Sequence, residues 1–200
     1  MTTEQALDRF LEVTFKDKSD LFTKKEKDFL INYSIEQKYS SPNQLLKDLE
    51  LCVGEQKFYA EHPHVKTAHV ALRSIVHRFN EKNKNGPAFN GDLIAFIEWW
   101  CNEYDRATGL RHCCYCGVDE HTVHTAFEKG IIHSKKRSFN GSLQIERLDP
   151  DGGYNSDNCH FACVLCNNAK SDMISSEDFK EYIAPSVAAY WQYLKEKHSL

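Results

Sequence analysis

The chain has 200 residues, enough for one generous domain or two small ones, and a hydrophobic share of 41% with 12 Phe excludes wholesale disorder. No stretch is apolar for long enough to span a bilayer, and the start, Met1-Thr-Thr-Glu-Gln-Ala-Leu-Asp8, lacks a signal-peptide profile, so a cytoplasmic protein with reduced cysteines and no membrane contact is expected. The net charge of −4 divides into +1 over residues 1–88 and −5 over 89–200, which argues against broad non-specific affinity for nucleic acid. A local basic patch is still available in Lys129, His133, Lys135, Lys136 and Arg137, and a solvated loop is its plainer reading.

The first half reads as helices with marked starts. Thr2 with Gln5, Thr23 with Glu26, and Ser41-Pro42 with Gln44 each fit the capping-box pattern, the last with Pro at the first helical position. Apolar residues follow at helical spacing: Leu7, Phe10 and Leu11, then Phe29, Leu30 and Tyr33, then Leu45, Leu46 and Leu49. A longer helix is expected over 65–79, with Ala68, Leu72, Ile75, Val76 and Phe79 on one face. Residues 34–42 between two short helices have the outline of a helix-turn-helix, though an ordinary helical hairpin explains them as well. Polar residues, Gly and Pro punctuate 80–91, which sets the expected boundary between a helical region, 1–88, and a second domain, 89–200. A helix over 92–105 should carry Leu93, Phe96, Ile97, Trp100 and Tyr104 on one stripe and lead into Cys113. Beyond it, 142–148 alternates as a strand, 149–153 makes a turn, 159–164 is a second strand, and a helix opens at Cys166. Further helices are expected over 176–183 and 185–197, giving an α+β, mostly helical chain.

Six of the eight cysteines fall between 113 and 166. Cys113-x2-Cys116 and Cys163-x2-Cys166 are two matched pairs of the kind that converge on one tetrahedral Zn²⁺, and four thiolates close its coordination sphere, so the site is structural. The 46 residues between the pairs exceed a zinc ribbon's spacing, so the metal must tie distant segments together and couple its binding to folding. Cys114 is an alternative ligand beside Cys113, while Cys52, Cys101 and Cys159 read as buried thiols.

Between the pairs stand Ile145-Glu-Arg-Leu-Asp-Pro150, Gly153-Tyr154 and Asp157-Asn158, and then Cys163-x2-Cys166-Asn-Asn-Ala-Lys170. This ordered string resembles the HNH, or ββα-metal, endonucleases, in the subgroup stapled by a four-cysteine zinc, and the likeness covers residues 113–183. The resemblance implies a zinc-stapled ββα-metal nuclease domain after the helical region. It implies an acidic metal ligand at Glu146, with Arg147 where the family has its general-base His. It also implies a loop-bracing Asn at Asn158, and a last metal ligand at Asn167 where His is usual. Carboxylate and amide oxygens suit a catalytic Mg²⁺ or Mn²⁺. A guanidinium stays protonated, so Arg147 can clamp a phosphate oxygen but cannot accept a proton. His160 is the first candidate base, ahead of His133, His124 and His121. Plainer roles stand beside these: a structural ion pair for Glu146 and Arg147, an Asx turn for Asn158, a helix N-cap for Asn167, a turn for Asp149, loop packing for Tyr154, and solvent or phosphate contact for Lys170.

The expectation is a metal-dependent endonuclease acting on DNA or RNA, placed in restriction or phage defence. The helical region would supply specificity, a homodimer contact or a partner of a defence system. A non-catalytic zinc module that binds nucleic acid or a protein is the alternative. A zinc deaminase is excluded, because none of the ten His is followed two positions later by Glu.

Overall fold

The computed structural model describes residues 1–200 apart from 52, 53, 86, 87, 106 and 134–140. Cys52 and the Lys135, Lys136 and Arg137 of the expected basic patch therefore lie outside the described residues. The chain forms two compact units, Met1–Asn102 and Glu103–Leu200. It is α+β and mostly helical, with one two-stranded sheet and a cluster of four cysteines in the second unit. Among the described residues no helix is long and apolar enough to cross a membrane.

The first unit is helical throughout. Its helices are α1 (Thr3–Phe15), α2 (Lys24–Phe29, running on through a wider π turn, Leu30–Ile35), α3 (Pro42–Asp48), α4 (Glu55–Glu61), α5 (Pro63–Asn85) and α6 (Leu93–Asn102). Thr2 and Thr23 both complete reciprocal capping boxes, with Gln5 and Glu26, which satisfies two orphan N–H donors at each helix start. The third expected box does not close. Ser41 caps through Asn43 N, while the Gln44 side chain turns along the helix to Asp48 instead. The expected apolar stripes meet in one core: Leu7, Phe10 and Leu11 of α1, Phe29 and Leu30, Phe58, Leu72, Ile75 and Val76 of α5, and Phe96 and Trp100 of α6 are all buried. The helix expected over 65–79 extends further in both directions, and that expected over 92–105 stops at Asn102.

One polar pair sits within this core. The Ser34 hydroxyl, fully buried, lies 2.8 Å from His69 Nδ1, and Tyr33 stacks on the same imidazole at 5.1 Å. Burial pushes the His69 pKa down from 6.5 to about 4, with the Arg73 charge adding to the effect.

The second unit holds α7 (Glu120–Glu128), β1 (Gln144–Arg147), β2 (Cys159–Ala162), α8 (Val164–Lys170), α9 (Ser176–Asp178, continuing as a π turn, Phe179–Ile183) and α10 (Ala184–His198). The strands pair antiparallel with Glu146 opposite His160 and Arg147 opposite Cys159, so the expected order of strand, loop, strand and helix is present. Both strands are shorter than expected, and α8 starts at Val164 rather than Cys166 because Cys163 takes the N-cap position. Helix α7 was not expected, although Asp119, which caps it through Thr122 N at 2.8 Å, is an ordinary start signal.

The His69 shift sets a pH dependence for the first unit. Between pH 6.5 and about 4 the unfolded chain binds a proton at this residue that the folded chain refuses, so folding stability should fall as pH drops through that window. Urea titrations at pH 7 and pH 4.5 should show the loss, and His69→Gln should flatten the slope. An equal slope in both proteins would remove the assignment.

Candidate functional site

The four cysteines expected to bind zinc come together. The sulfur atoms of Cys113, Cys116, Cys163 and Cys166 all lie within 4.8 Å of one another, and Cys116 and Cys163 are 3.7 Å apart. Tetrahedral coordination with Zn–S bonds near 2.3 Å places sulfurs about 3.8 Å apart, so this donor set fits the ion. Each pair is shaped by its own backbone. After the first, Gly117 turns with φ of +73°, which lets its N–H reach Cys113 O while Cys113 N–H reaches Val118 O. Cys114 N–H donates to Phe161 O and so docks the first pair on β2. Cys163 accepts from Cys166 N–H as the N-cap of α8, so one side chain serves both the cysteine cluster and the helix. Cys114 itself is outside the cluster, and burial pushes its thiol far above the ordinary value, as suits an inert residue.

Because α8 starts at a cysteine of this cluster, its register over β1 is fixed. Gln144 and Glu146 lie two apart on one face of the strand, and Asn167 and Lys170 lie three apart on the helix. Asn167 Nδ2 donates to Gln144 Oε1, and Lys170 Nζ lies 3.1 Å from Glu146 Oε1. The expected acid and amide therefore share one face of the hairpin, but each is held by its own partner and not by the other. Lys170 has no exposed surface. Its three ammonium hydrogens are matched by Glu146, Arg147 O and Ser171 O, so neither solvent nor a phosphate contact describes it. Glu146 is also buried and accepts from the Tyr115 hydroxyl at 3.4 Å. Burial raises its pKa and the Lys170 charge partly offsets that rise. Among the described residues Glu146 belongs to no group of three or more His, Cys, Asp or Glu ligands.

Arg147, next along the strand, points to the other face. Its guanidinium donates to Gly152 O at 3.2 Å and lies over the Tyr154 ring at 4.9 Å. Asn158 braces the same loop from inside: its Oδ1 accepts from Asp149 N–H, and its Nδ2 donates to Asp149 O and Gly153 O. Added bulk at Gly152 would fall 2.6 Å from the Asn158 amide, so the loop closes only around a glycine there. Asp149 keeps its turn role, accepting from Asp151 N–H. Asn167 sits inside α8 and is not the helix N-cap.

His160 occupies a different setting from Asn158. Its Nδ1 lies 3.1 Å from Glu103 Oε1, whose other oxygen accepts from Phe161 N–H, and the pair raises the His160 pKa above 6.5. His160 lines a cleft of about 340 Å³ together with Tyr115, Leu148, Ser176, Glu177 and Lys180. The Ser176 hydroxyl closes the cleft floor by donating to Leu148 O. Sequence reasoning missed Glu103, Tyr115 and the buried role of Lys170, because each acts across a long stretch of chain. His121, His124 and His133 are exposed, the first two on α7.

No family model matches the chain, and no curated protein matches it. Among solved structures, the chain is similar to the HNH restriction endonuclease PacI, with a TM-score of 0.47 and 24% sequence identity over 60% of this chain and 78% of that one.

Two outcomes follow for stability. Cys163→Ser, or extraction of the metal, should remove about one zinc per chain and the near-UV CD of the second unit, since the thiolates then repel with no cation between them. Lys170→Met should cost about 3–5 kcal/mol at neutral pH by leaving the Glu146 carboxylate buried without its partner, and part of that loss should return in acid as Glu146 protonates. A neutral urea midpoint unchanged by Lys170→Met would show that the pair is not buried in solution.

Proposed function

We propose that the chain is a metal-dependent endonuclease that hydrolyses phosphodiester bonds of DNA. The observation that carries this reading is the hairpin itself: the string from Ile145 to Lys170 folds as two strands and a helix around four thiolates, with Glu146 directly opposite His160. Glu146 and Asn167 would hold Mg²⁺ or Mn²⁺, to which a carboxylate and an amide oxygen are suited donors, and Glu146 would share its charge between that ion and Lys170. Such an ion neutralises charge on the phosphate and on the leaving oxygen.

The remaining roles belong to the chain's own side chains. Arg147 is the phosphate clamp, its fork kept in place by Gly152 O and Tyr154. Asn158 fixes the loop that positions Arg147. His160 is the proton acceptor. Glu103 at Nδ1 orients the ring and sets its tautomer, which leaves Nε2 for water. Residues 1–88 serve as the specificity or partner region.

A second reading is a non-catalytic zinc module that binds nucleic acid or a protein. It is favoured by Lys170, which already neutralises Glu146, the acid expected to hold the catalytic ion. Plasmid cleavage separates the two. The nuclease should cut or nick DNA when Mg²⁺ or Mn²⁺ is supplied. Glu146→Ala should abolish the activity, and His160→Ala should lower it about a hundredfold or more. Cleavage that persists in both Glu146→Ala and Asn167→Ala rejects the site. Absence of any Glu146-dependent Mg²⁺ or Mn²⁺ binding, together with inactivity on DNA and RNA, establishes the module instead.

A further inference from the structure

The first unit holds a second convergence of ligand atoms. Glu26 on α2, His62 at the end of α4 and His64 at the start of α5 bring one carboxylate oxygen and two imidazole nitrogens within 4.8 Å of one another. Glu26 Oε1 lies 2.8 Å from His62 Nδ1 and 3.0 Å from His64 Nε2. The geometry points to a binding site for a divalent first-row transition ion, with two His and one Glu as its ligands.

Three features make this a built site and not a chance encounter of surface groups. Glu26 is 2% exposed, and its other oxygen, Oε2, is tied to Thr23 N–H at 2.7 Å and to the Thr23 hydroxyl at 2.8 Å. The capping box thus orients the carboxylate and leaves Oε1 aimed at the imidazoles, as second partners orient the ligands of metal sites generally. Both rings are also fixed by packing, His62 against Phe58 at 4.8 Å and His64 against Phe22 at 4.9 Å. Finally, Pro63 stands between the two His as the first residue of α5, and its locked φ sets the angle at which they converge.

The chemistry of the donors selects the ion. Two imidazoles and a carboxylate suit Zn²⁺, Fe²⁺, Co²⁺ or Ni²⁺, whereas Mg²⁺ and Ca²⁺ favour oxygen-only sets. Bonds near 2.1 Å place neighbouring ligand atoms about 3.0 Å apart in octahedral and about 3.4 Å apart in tetrahedral coordination, so the observed 2.8 and 3.0 Å need at most a small side-chain adjustment to admit an ion. His62 and His64 are 30% and 27% exposed at their side chains, so one side of the site opens to solvent, where water or a further donor completes the shell. Three protein ligands with an open position make an exchangeable site, in contrast to the closed four-thiolate one. Bound metal would staple α2 to the junction of α4 and α5.

The test uses the full, untagged chain with its cysteine site loaded. Titration with Zn²⁺ should reach two ions per chain in the unaltered protein and one in a His62→Ala, His64→Ala double variant. Glu26→Gln, which preserves the capping box, guards against misfolding and should also bind one. Co²⁺ at this site should give a ligand-field spectrum without thiolate charge-transfer bands, and excess Zn²⁺ should raise the melting temperature of the unaltered chain but not of Glu26→Gln. Saturation at one ion in the unaltered protein, or equal stoichiometry in Glu26→Gln, overturns the inference. Neither result bears on the nuclease reading, whose residues lie in the other unit.

Discussion

Four sulfur atoms within 4.8 Å of one another, three of them on buried cysteines and one on half-buried Cys116, impose the condition on which the second unit rests. Ionised as thiolates at such spacing, they repel one another strongly. A divalent cation would remove the conflict, and it would tie the pairs at 113–116 and 163–166 to one point although 46 residues separate them. The consequence reaches beyond the metal. Cys163 is at once a member of the four-sulfur cluster and the N-cap of α8, so the cluster fixes where that helix starts and which of its residues face β1. The contacts of Asn167 with Gln144 and of Lys170 with Glu146 are downstream of that single placement.

The hairpin then divides its charges between two faces. On one, Glu146 and Lys170 form a pair sealed from water, with Tyr115 above the carboxylate. Burying such a pair brings little net stability, because desolvation takes back most of the Coulombic gain, but it admits only one arrangement of helix on strand. On the other, Arg147 stands over the braced loop with its charge directed at peptide oxygen and an aromatic ring, both weaker partners than a phosphate. His160 lies between these extremes, half-exposed at a cleft and steered by Glu103. An acid, an imidazole and a guanidinium are thereby brought to one short hairpin in three different electrostatic settings.

The first unit treats its histidines in two opposite ways, and the contrast is instructive. His69 is packed against aromatic rings and one hydroxyl and is driven neutral by burial, with the Arg73 charge adding to the effect. His62 and His64 share one carboxylate oxygen at the rim of the core, with a side open to water. Composition treats all three alike. What separates them is whether an oriented anion stands opposite the ring, and the Thr23 capping box provides that orientation for Glu26 alone.

Local rules written in adjacent residues were legible in the sequence: the capping boxes at Thr2 and Thr23, the apolar stripes of five of the six N-terminal helices, the turn at 149–153, and the two cysteine pairs. Each rests on neighbours within a few positions, and the zinc pairs are legible because their spacing is part of the ligand geometry. The failures are of the opposite kind. Gln44 had a closer partner in Asp48 than the cap it was expected to complete, and Lys170 reads as a solvated charge until α8 is laid on β1. Glu103 gives no local sign of its contact with His160, nor does His62-Pro63-His64 of its contact with Glu26. The sequence by itself determined most of the helical segments, though not α4 or α7, which segments pair as strands and which four sulfurs meet. Only the tertiary structure decided which charges neutralise one another, because that depends on distances between elements that chain spacing does not encode.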